Sequence, residues 1–448
     1  MKSFNKADYV IMALGNIIGS GIFLASSLVI TIAGNWTPLA YFLGGLAMMM
    51  EVSFIIEMAI ANPVPGSFKV CAQEIFGDWW GFVNGWMFWS SGVLGMASEI
   101  TACAIFAHLW MPGLPLWVSS LFFSVAITLM NFIDLKGLSK IELGLSLTKV
   151  LTLVLFIIIG ILLTAKIPIG QVTVNQITSP ILSSPSPQDI LGLLGSMLLI
   201  FFAYTGTGIM GIAATETEKP EFTVPPAAKI VTLTVISLYT LSAFFIVTLL
   251  PTGVIDVTVS PFVQLLTIFQ IPYASDIVNF ILLTAALSAL NSQVYSSSRM
   301  LFSLATNDQA PKIASYQNSK GVPTVAVTIS GVVLLLTTMA SYFLPEQIFV
   351  YTVSASGFLA LVNWMSVSAT HYYYRKKILK ESPAKLKYKS PGYPYFSWLC
   401  FSVVLIAILS IPLYPEQLPG LYSGCVILLL ISCAYFINRA ISRMKLPN

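Results

Sequence analysis

The same five-residue pattern interrupts two apolar stretches of this chain, as GSGIF at residues 19–23 and as GTGIM at residues 206–210. Each stretch is long enough to cross a bilayer, which takes about 20 residues. Glycine in a helix interior costs about 1 kcal/mol relative to alanine, and unpaired backbone in hydrocarbon costs more. Such breaks persist where they line a cavity, and a matched pair in two halves of a membrane protein indicates a transporter's substrate site.

The composition also indicates an integral membrane protein. Hydrophobic residues make up 56% of the 448 residues and charged residues 9%, against roughly 25% charged residues in soluble domains. We predict an all-α membrane protein with twelve transmembrane helices. The apolar segments lie at residues 9–33, 39–61, 79–109, 115–133, 141–165, 190–215, 228–250, 275–305, 323–344, 347–370, 394–414 and 418–438.

The basic residues predict how the chain is oriented. With a cytoplasmic N-terminus, 20 of the 22 Lys and Arg residues fall on the cytoplasmic side. The positive-inside rule then places both termini in the cytoplasm, which fits an even number of spans. We expect a multi-pass protein of the plasma membrane, in a bacterium. The net charge of +4 reflects this orientation, so no nucleic acid partner is predicted.

The spacing of the two breaks predicts the domain organisation. No soluble domain interrupts residues 1–448, which we interpret as a single polytopic membrane domain. The breaks lie 187 residues apart, the period expected if residues 9–165 and 190–370 are repeats of five spans, separated by the outer connection at residues 166–189. Because each repeat has an odd number of spans, the second is inverted, and the site lies at the midplane. Residues 394–438 add two further helices.

The chemistry of a broken helix suits a zwitterion. Free N–H groups of one half-helix carry partial positive charge and free carbonyls of the other carry partial negative charge. The amides around Ser20, Gly21 and Ile22 are candidates for a substrate carboxylate, and the carbonyls around Ile17, Ile18, Phe202, Ala203 and Thr205 are candidates for an ammonium group. Gly19 and Gly206 allow close backbone approach. The alternative is that these glycines only let helices pack closely.

Other classes of function fit the sequence less well. GTGIMG at residues 206–211 matches a dinucleotide-binding pattern, but that pattern is informative only between a strand and a helix. The five cysteines show no CxxC spacing, and no catalytic triad or HExxH motif is present. No cofactor and no metal are therefore predicted, and an enzyme is disfavoured. Paired broken helices suit an occluded site better than a continuous pore, which disfavours a channel.

Three motifs resemble a known family. GNIIGSGIF at residues 15–23 resembles the first-helix signature of the amino acid-polyamine-organocation (APC) superfamily. NPVPGSF at residues 62–68 resembles the loop after the second helix of its amino acid permeases, and SALNS at 288–292, with SRML and QAP following, is similar to the eighth helix and its exit. The resemblance implies the leucine-transporter-type fold, a 5+5 inverted repeat with broken helices 1 and 6 plus two helices, and alternating access around helices 1, 3, 6, 8 and 10.

The resemblance also assigns two intramembrane charges, which are functional candidates by default. In proton-coupled relatives, a lysine at the position of Lys149 replaces a sodium ion between helices 1 and 8, near Asn291 and Ser292. Lys149 is thus either a proton carrier or a charged strut that holds helix 5 against helix 1. Glu99 in the third span either contacts substrate or takes part in proton transfer, or is a hydrogen-bonded structural acid.

Helix 6 carries the remaining candidates and one departure from the family. Phe202 matches the aromatic residue that closes over substrate in relatives, and Tyr204 is a second candidate of this kind. Many of these permeases have a glutamate at the position of Gly208. Its absence opens space beside helix 6 and leaves no carboxylate there for a cationic side chain.

The sequence therefore predicts a secondary active transporter for a neutral amino acid, coupled to a proton and working by alternating access. Its partners would be the amino acid, the proton and the lipid bilayer, while the oligomeric state stays open. The alternative is a sodium-independent amino acid exchanger on the same fold.

Overall fold

The computed structural model describes residues 5–64, 66–131, 135–167, 187–250, 255–270, 273–319, 321–343 and 347–444. Most of the connection at residues 166–189 lies outside this range. Within it the chain is all-α, without a β-strand, so the predicted fold class is confirmed at that level. The first eight helices are α1 (Lys6–Ile17), α2 (Ser20–Phe23), α3 (Ala25–Ala33), α4 (Thr37–Ala61), α5 (Ser67–Phe76), α6 (Asp78–His108), α7 (Leu116–Met130) and α8 (Leu135–Thr164).

The second half of the chain continues with helices only. They are α9 (Pro187–Ala203), α10 (Gly208–Ala214), α11 (Pro220–Leu249), α12 (Pro261–Ile268), α13 (Ala274–Thr306), α14 (Thr324–Phe343), α15 (Ile348–Glu381), α16 (Tyr395–Ser410) and α17 (Leu418–Met444). Among the described residues, nine helical stretches are long and apolar enough to cross a membrane, and two shorter apolar helices lie at Leu116–Met130 and Thr324–Leu336.

The centre of the bundle is built around α6, which packs against α13 and α15. Small residues on α6 allow this close approach, as in other membrane helix pairs. A Cβ atom added to Gly92 would collide with Ser297, and one added to Gly95 would lie 2.7 Å from Gln293 Oε1. The segment α1 contacts α8, α11 and α13, which places the first break in the same central region.

A buried ion pair joins α4 to α15 at one end of the bundle. Glu57 Oε2 lies 3.1 Å from Arg375 Nη1, and Glu57 Oε1 lies 3.3 Å from His371 Nε2. The backbone N–H of Ser390 also donates to Glu57. Because a buried charge left without its partner is strongly destabilising, these contacts fix the position of α4 relative to α15.

Candidate functional site

The first break is closed by an acidic side chain from another helix. The helix α1 ends at Ile17 and α2 begins at Ser20, with extended backbone between them. Both carboxylate oxygens of Glu99, on α6, accept the N–H of Ser20 at 3.0 Å. A Cβ atom on Gly19 would collide with this carboxylate. The amide that the sequence offered to a substrate carboxylate is therefore already bonded to Glu99.

The second break is held by a side chain of α1. Asn16 Nδ2 donates to the carbonyl of Gly206 at 2.7 Å. Gly206 has a φ of +93°, and a Cβ atom there would lie 2.7 Å from the Asn16 carbonyl oxygen. Only glycine adopts this backbone at so close an approach without strain. Asn16 was not singled out from the sequence, although a buried asparagine within an apolar run is itself a signal.

Several predicted residues pack rather than face open space. A Cβ atom on Gly21 would lie 2.5 Å from Ala203 Cα, so this glycine lets α2 approach the end of α9. Ile18, Ile22 and Phe202 are buried in the main hydrophobic cluster, as are Ile17 and Ala203. At Gly21 the structure shows close packing between α2 and the end of α9.

Three tyrosines surround the breaks. Tyr204 donates its hydroxyl to the Tyr41 carbonyl at 2.7 Å, and its ring stacks on Tyr239 with centroids 5.1 Å apart. The Tyr239 hydroxyl donates to the Ile17 carbonyl at 3.0 Å. One of the carbonyls expected to bind a substrate ammonium group therefore already accepts a protein hydroxyl. Tyr41 and Tyr239 were not predicted, because nothing in an apolar run marks which tyrosine faces inward.

Lys149 lies against the first half of the broken helix. Its Nζ donates to the carbonyl of Gly15 at 2.6 Å, and the residue is fully buried on α8. The sequence predicts Lys149 between helices 1 and 8, and the Gly15 carbonyl is its contact on the helix 1 side. Lys149 also interacts electrostatically with Glu99. Its role as carrier or strut stays a prediction.

The two predicted residues of α13 lie near the same region. Asn291 Oδ1 accepts from Asn131 Nδ2 at 3.0 Å, which joins α13 to the end of α7. Ser292 is buried on α13. Since α13 contacts both α1 and α8, these residues belong to the helices that surround Lys149.

A cavity of about 50 Å³ lies beside the second break. Thr205, Gly206 and Gly208 are the predicted site residues that line it. Its other lining groups were not predicted from the sequence; they include Asn16, Glu51, Phe88, Gln293, Asn363 and Trp364. A Cβ atom on Gly208 would collide with the Phe88 ring. The space that the sequence predicts beside helix 6 at Gly208 is thus filled by Phe88.

An ion pair connects the chain after α10 to α13. Glu216 Oε1 lies 3.4 Å from Arg299 Nε, and the Tyr295 hydroxyl donates to Glu216 Oε2 at 2.8 Å. Arg299 also donates to the Gly321 carbonyl. These contacts hold the end of the second broken helix against α13, on the same helices that line the cavity.

Comparison with known proteins identifies the family. A family model described as amino acid permease matches residues 8–446. The chain belongs to the amino acid permease family. The amino-acid permease RocC of Bacillus subtilis (strain 168) is 32% identical to this permease, over 98% of this chain and 94% of its own. The predicted APC resemblance is confirmed, and with it the prediction of a membrane transporter rather than an enzyme.

Two further relatives have the same substrate in their names. The gamma-aminobutyric acid permease of Bacillus subtilis (strain 168) is 31% identical to this permease, over 100% of this chain and 96% of its own. That of Escherichia coli (strain K12) is 30% identical, over 92% and 89%. These alignments cover 89% or more of each chain compared.

Proposed function

We propose that this permease is a proton-coupled symporter that carries an amino acid across the plasma membrane by alternating access. Amino acid transport follows from the family, whereas coupling and mechanism rest on the candidate site. The observation that carries the proposal is the pair of opposite charges at the first break. Lys149 holds the Gly15 carbonyl on one side of the break, and Glu99 holds the Ser20 amide on the other.

This arrangement links protonation to movement of the broken helix. A rocking motion that shifts α1 relative to α6 and α8 must change both contacts. Removing the proton from Lys149, or adding one to Glu99, changes the local charge that stabilises one position of α1. A ligand shifts a conformational equilibrium only through its differential affinity for the two states. A proton bound at this break supplies such a difference.

The proposed architecture is a leucine-transporter-type fold with twelve spans. The segments α1 to α3 form broken span 1, and α9 with α10 forms broken span 6. Residues 9–165 and 190–370 are then inverted repeats of five spans, and residues 394–438 add two helices. The matched breaks support this grouping, and the basic residues support cytoplasmic termini.

The proposed substrate is an amino acid without net charge. Support comes from the absence of a carboxylate at Gly208 and from the two relatives named for gamma-aminobutyric acid, which is a zwitterion. A sodium-independent exchanger remains the second candidate, because Lys149 acting as a fixed strut serves either transport mode.

Uptake into proteoliposomes tests the proposal. The purified permease is reconstituted, and uptake of the common amino acids and of gamma-aminobutyric acid is measured with an inward proton gradient. We expect saturable uphill uptake that a protonophore abolishes and that sodium does not affect. Uptake that instead requires an amino acid inside the vesicle would establish the exchanger, and sodium-dependent uptake would contradict both candidates.

A further inference from the structure

A buried carboxyl group from α4 contacts the second break. Glu51 is 1% exposed, and its side chain hydrogen-bonds Thr207, which is also buried. Thr207 lies between Gly206 and Gly208, the first residue of α10. The side chain of Glu51 is therefore bonded to the residue at the centre of the break, although α4 is not part of either broken helix.

This carboxyl group has no cationic partner among the described residues. No Lys, Arg or His forms an ion pair with Glu51 there, and its Oε2 is shielded from solvent without a hydrogen-bond partner. The other acid of α4, Glu57, has the ion pairs with His371 and Arg375. An isolated ionised carboxylate in a protein interior is so costly that the group takes up a proton instead. In this conformation Glu51 is a neutral carboxylic acid.

Four helices that pack on α4 bring no charge to Glu51. In α3, in α10 and in α9 after residue 189, the sequence has no ionisable side chain. The helix α16 brings Cys400, whose thiol lies near Glu51 and 3.8 Å from the carbonyl of Ala47, one helical turn before it. A buried thiol is a small, weakly polar group, so it does not compensate a negative charge.

The other helices on α4 direct their ionisable groups elsewhere. These groups are Lys229, exposed on α11, Tyr239 on the Ile17 carbonyl, Glu221 with Lys387, Lys69 near Asp78, Glu74 with Lys377, and His371 and Arg375 on Glu57. The hydroxyl of Thr207 is therefore the polar group that this part of the protein offers to Glu51.

Loss of the proton would act directly on the second break. The proton leaves as the O–H bond of the acid breaks, and the electron pair stays on Glu51 as a negative charge. Since no cation meets that charge, the carboxylate needs water, and water reaches it only if the packing around Thr207 opens. Protonated Glu51 favours the closed break and ionised Glu51 favours an open one. A bound proton shifts a conformational equilibrium through just such a difference.

We infer that Glu51 is a proton-binding site of the transport cycle, separate from the charges at the first break: it holds a proton while the second break is closed and releases it when the break opens. The inference rests on the proposed proton-coupled transport and adds a residue to it. Ionisable groups inside a membrane protein commonly form proton relays. The alternative is a carboxylic acid that stays protonated throughout and only fills space.

Infrared spectroscopy tests whether Glu51 holds a proton. A protonated carboxyl group has a carbonyl stretching band that an ionised carboxylate lacks. The difference spectrum between the full-length wild-type permease and Glu51→Gln, at neutral pH in detergent, should contain this band. In Glu51→Asp the band should shift rather than vanish, which gives the same answer from a variant that keeps its carboxyl group. A spectrum without the band in both comparisons would overturn the inference.

Proton counting tests whether that proton moves. Purified permease is reconstituted into proteoliposomes with a pH-sensitive dye inside, and proton entry is measured per molecule of radiolabelled amino acid taken up. The probe is the mixture of common amino acids and gamma-aminobutyric acid used in the uptake screen. Glutamine has the shape of the neutral acid but cannot release a proton. We expect Glu51→Gln to retain amino acid exchange and to move one proton fewer per amino acid than wild type.

A matched control and the melting temperatures make the result interpretable. Glu74→Gln removes a half-exposed carboxylate that pairs with Lys377, and it should change neither the infrared band nor the proton count. Glu51→Gln should melt in detergent at the temperature of wild type at neutral pH, because it replaces one neutral group with another of the same shape.

The outcomes separate this inference from the proposed function. If wild-type uptake is proton-coupled and Glu51→Gln moves the same number of protons, Glu51 is a permanent acid and the inference fails while the symporter stands. If wild-type uptake moves no protons, the proposed coupling and this inference both fail, and amino acid transport remains.

Discussion

The side chain of Asn16 bonds to the carbonyl of Gly206 at 2.7 Å and thereby ties the two broken helices together. The Asn16 carbonyl oxygen is at the same time one of the atoms nearest to a Cβ built on Gly206. A second link between the same helices is the Tyr9 hydroxyl, which donates to the Met210 carbonyl at 2.8 Å. The helix α1 is therefore bonded both to the second break, through Asn16, and to α10, through Tyr9.

Replacing Asn16 with alanine should weaken both stability and transport. The Gly206 carbonyl would lose its partner, and an unsatisfied buried group costs about 1–3 kcal/mol. Asn279→Ala is the matched control, because Asn279 is a buried asparagine that donates to the Phe106 carbonyl at 2.8 Å, away from the breaks. We expect similar losses of melting temperature in both variants and a transport defect only in Asn16→Ala. Equal uptake by the two variants would show that the link between the breaks has no functional role.

Replacing Gly206 with alanine should be more damaging than an ordinary Gly→Ala change. The positive φ and the 2.7 Å approach to Asn16 both oppose a Cβ atom, at a combined cost of about 1–3 kcal/mol. Gly144→Ala on α8 is the control, since a Cβ there meets open space and improves helix propensity. Thermal unfolding should show destabilisation for position 206 and none for position 144; unchanged stability of Gly206→Ala would mean that the break relaxes.

Substitutions at Lys149 distinguish the proton carrier from the strut. Arginine keeps a charge and hydrogen-bond donors but does not release its proton. If Lys149 carries the proton, Lys149→Arg should lose uphill uptake driven by a pH gradient and retain substrate binding, and Lys149→Ala should keep some exchange. If Lys149 is a strut, Lys149→Ala should lose binding as well, whereas Lys149→Arg should retain transport. Normal proton-driven uptake by Lys149→Ala would exclude both roles.

Gly208 and Phe88 should behave as a coupled pair. A Cβ on Gly208 collides with the Phe88 ring, so Gly208→Ala should reduce uptake several-fold, and a smaller residue in the double variant Gly208→Ala/Phe88→Leu should restore part of it. Gly208→Glu adds a buried charge as well, which is costly unless it is protonated or paired. We expect it to fail at neutral pH and to recover partly in acid. If the effects of the two substitutions on uptake are simply additive, position 208 and the Phe88 ring are not coupled, which would mean that the ring moves freely away from position 208.

Lys69 on α5 should make stability depend on pH. Burial lowers the pKa of its ammonium from 10.5 to about 8, although the nearby Asp78 carboxylate acts in the opposite direction. Its Nζ has no hydrogen-bond partner within the described residues. Between these two pKa values the unfolded chain holds the proton and the folded protein does not, so stability rises with pH. Below about pH 8 the full penalty of the buried charge is present.

The measurement is the melting temperature in detergent across this pH range. Lys69→Met should melt higher than wild type at neutral pH, and the difference should shrink as the pH rises through about 8. Lys312→Met, at an exposed lysine paired with Asp308, should follow wild type at every pH. A difference between wild type and Lys69→Met that does not change with pH would contradict this account.

The sequence by itself determined the class of the molecule and the location of its breaks. Long apolar segments can satisfy their backbone in a bilayer only as helices, and glycine pairs mark where those helices are interrupted. The break between Ile17 and Ser20, and that between Ala203 and Gly208, fall where the motifs predicted. The family resemblance followed from motifs that are local in the chain, so no knowledge of packing was needed.

Only the tertiary structure decided which groups meet at those breaks. Glu99 lies 79 residues from Ser20 in the sequence. Glu51 lines the cavity from α4, a helix that contains none of the motifs. In a soluble helix, polar residues mark the solvent side, so the opposite, apolar face is the one that packs against the core. A membrane helix is apolar on its lipid-facing and its protein-facing sides, so this signal is lost. The sequence therefore could not show that Phe88 covers Gly208, that Tyr239 occupies the Ile17 carbonyl, or that Glu51 faces inward. Those relationships depend on how the helices pack.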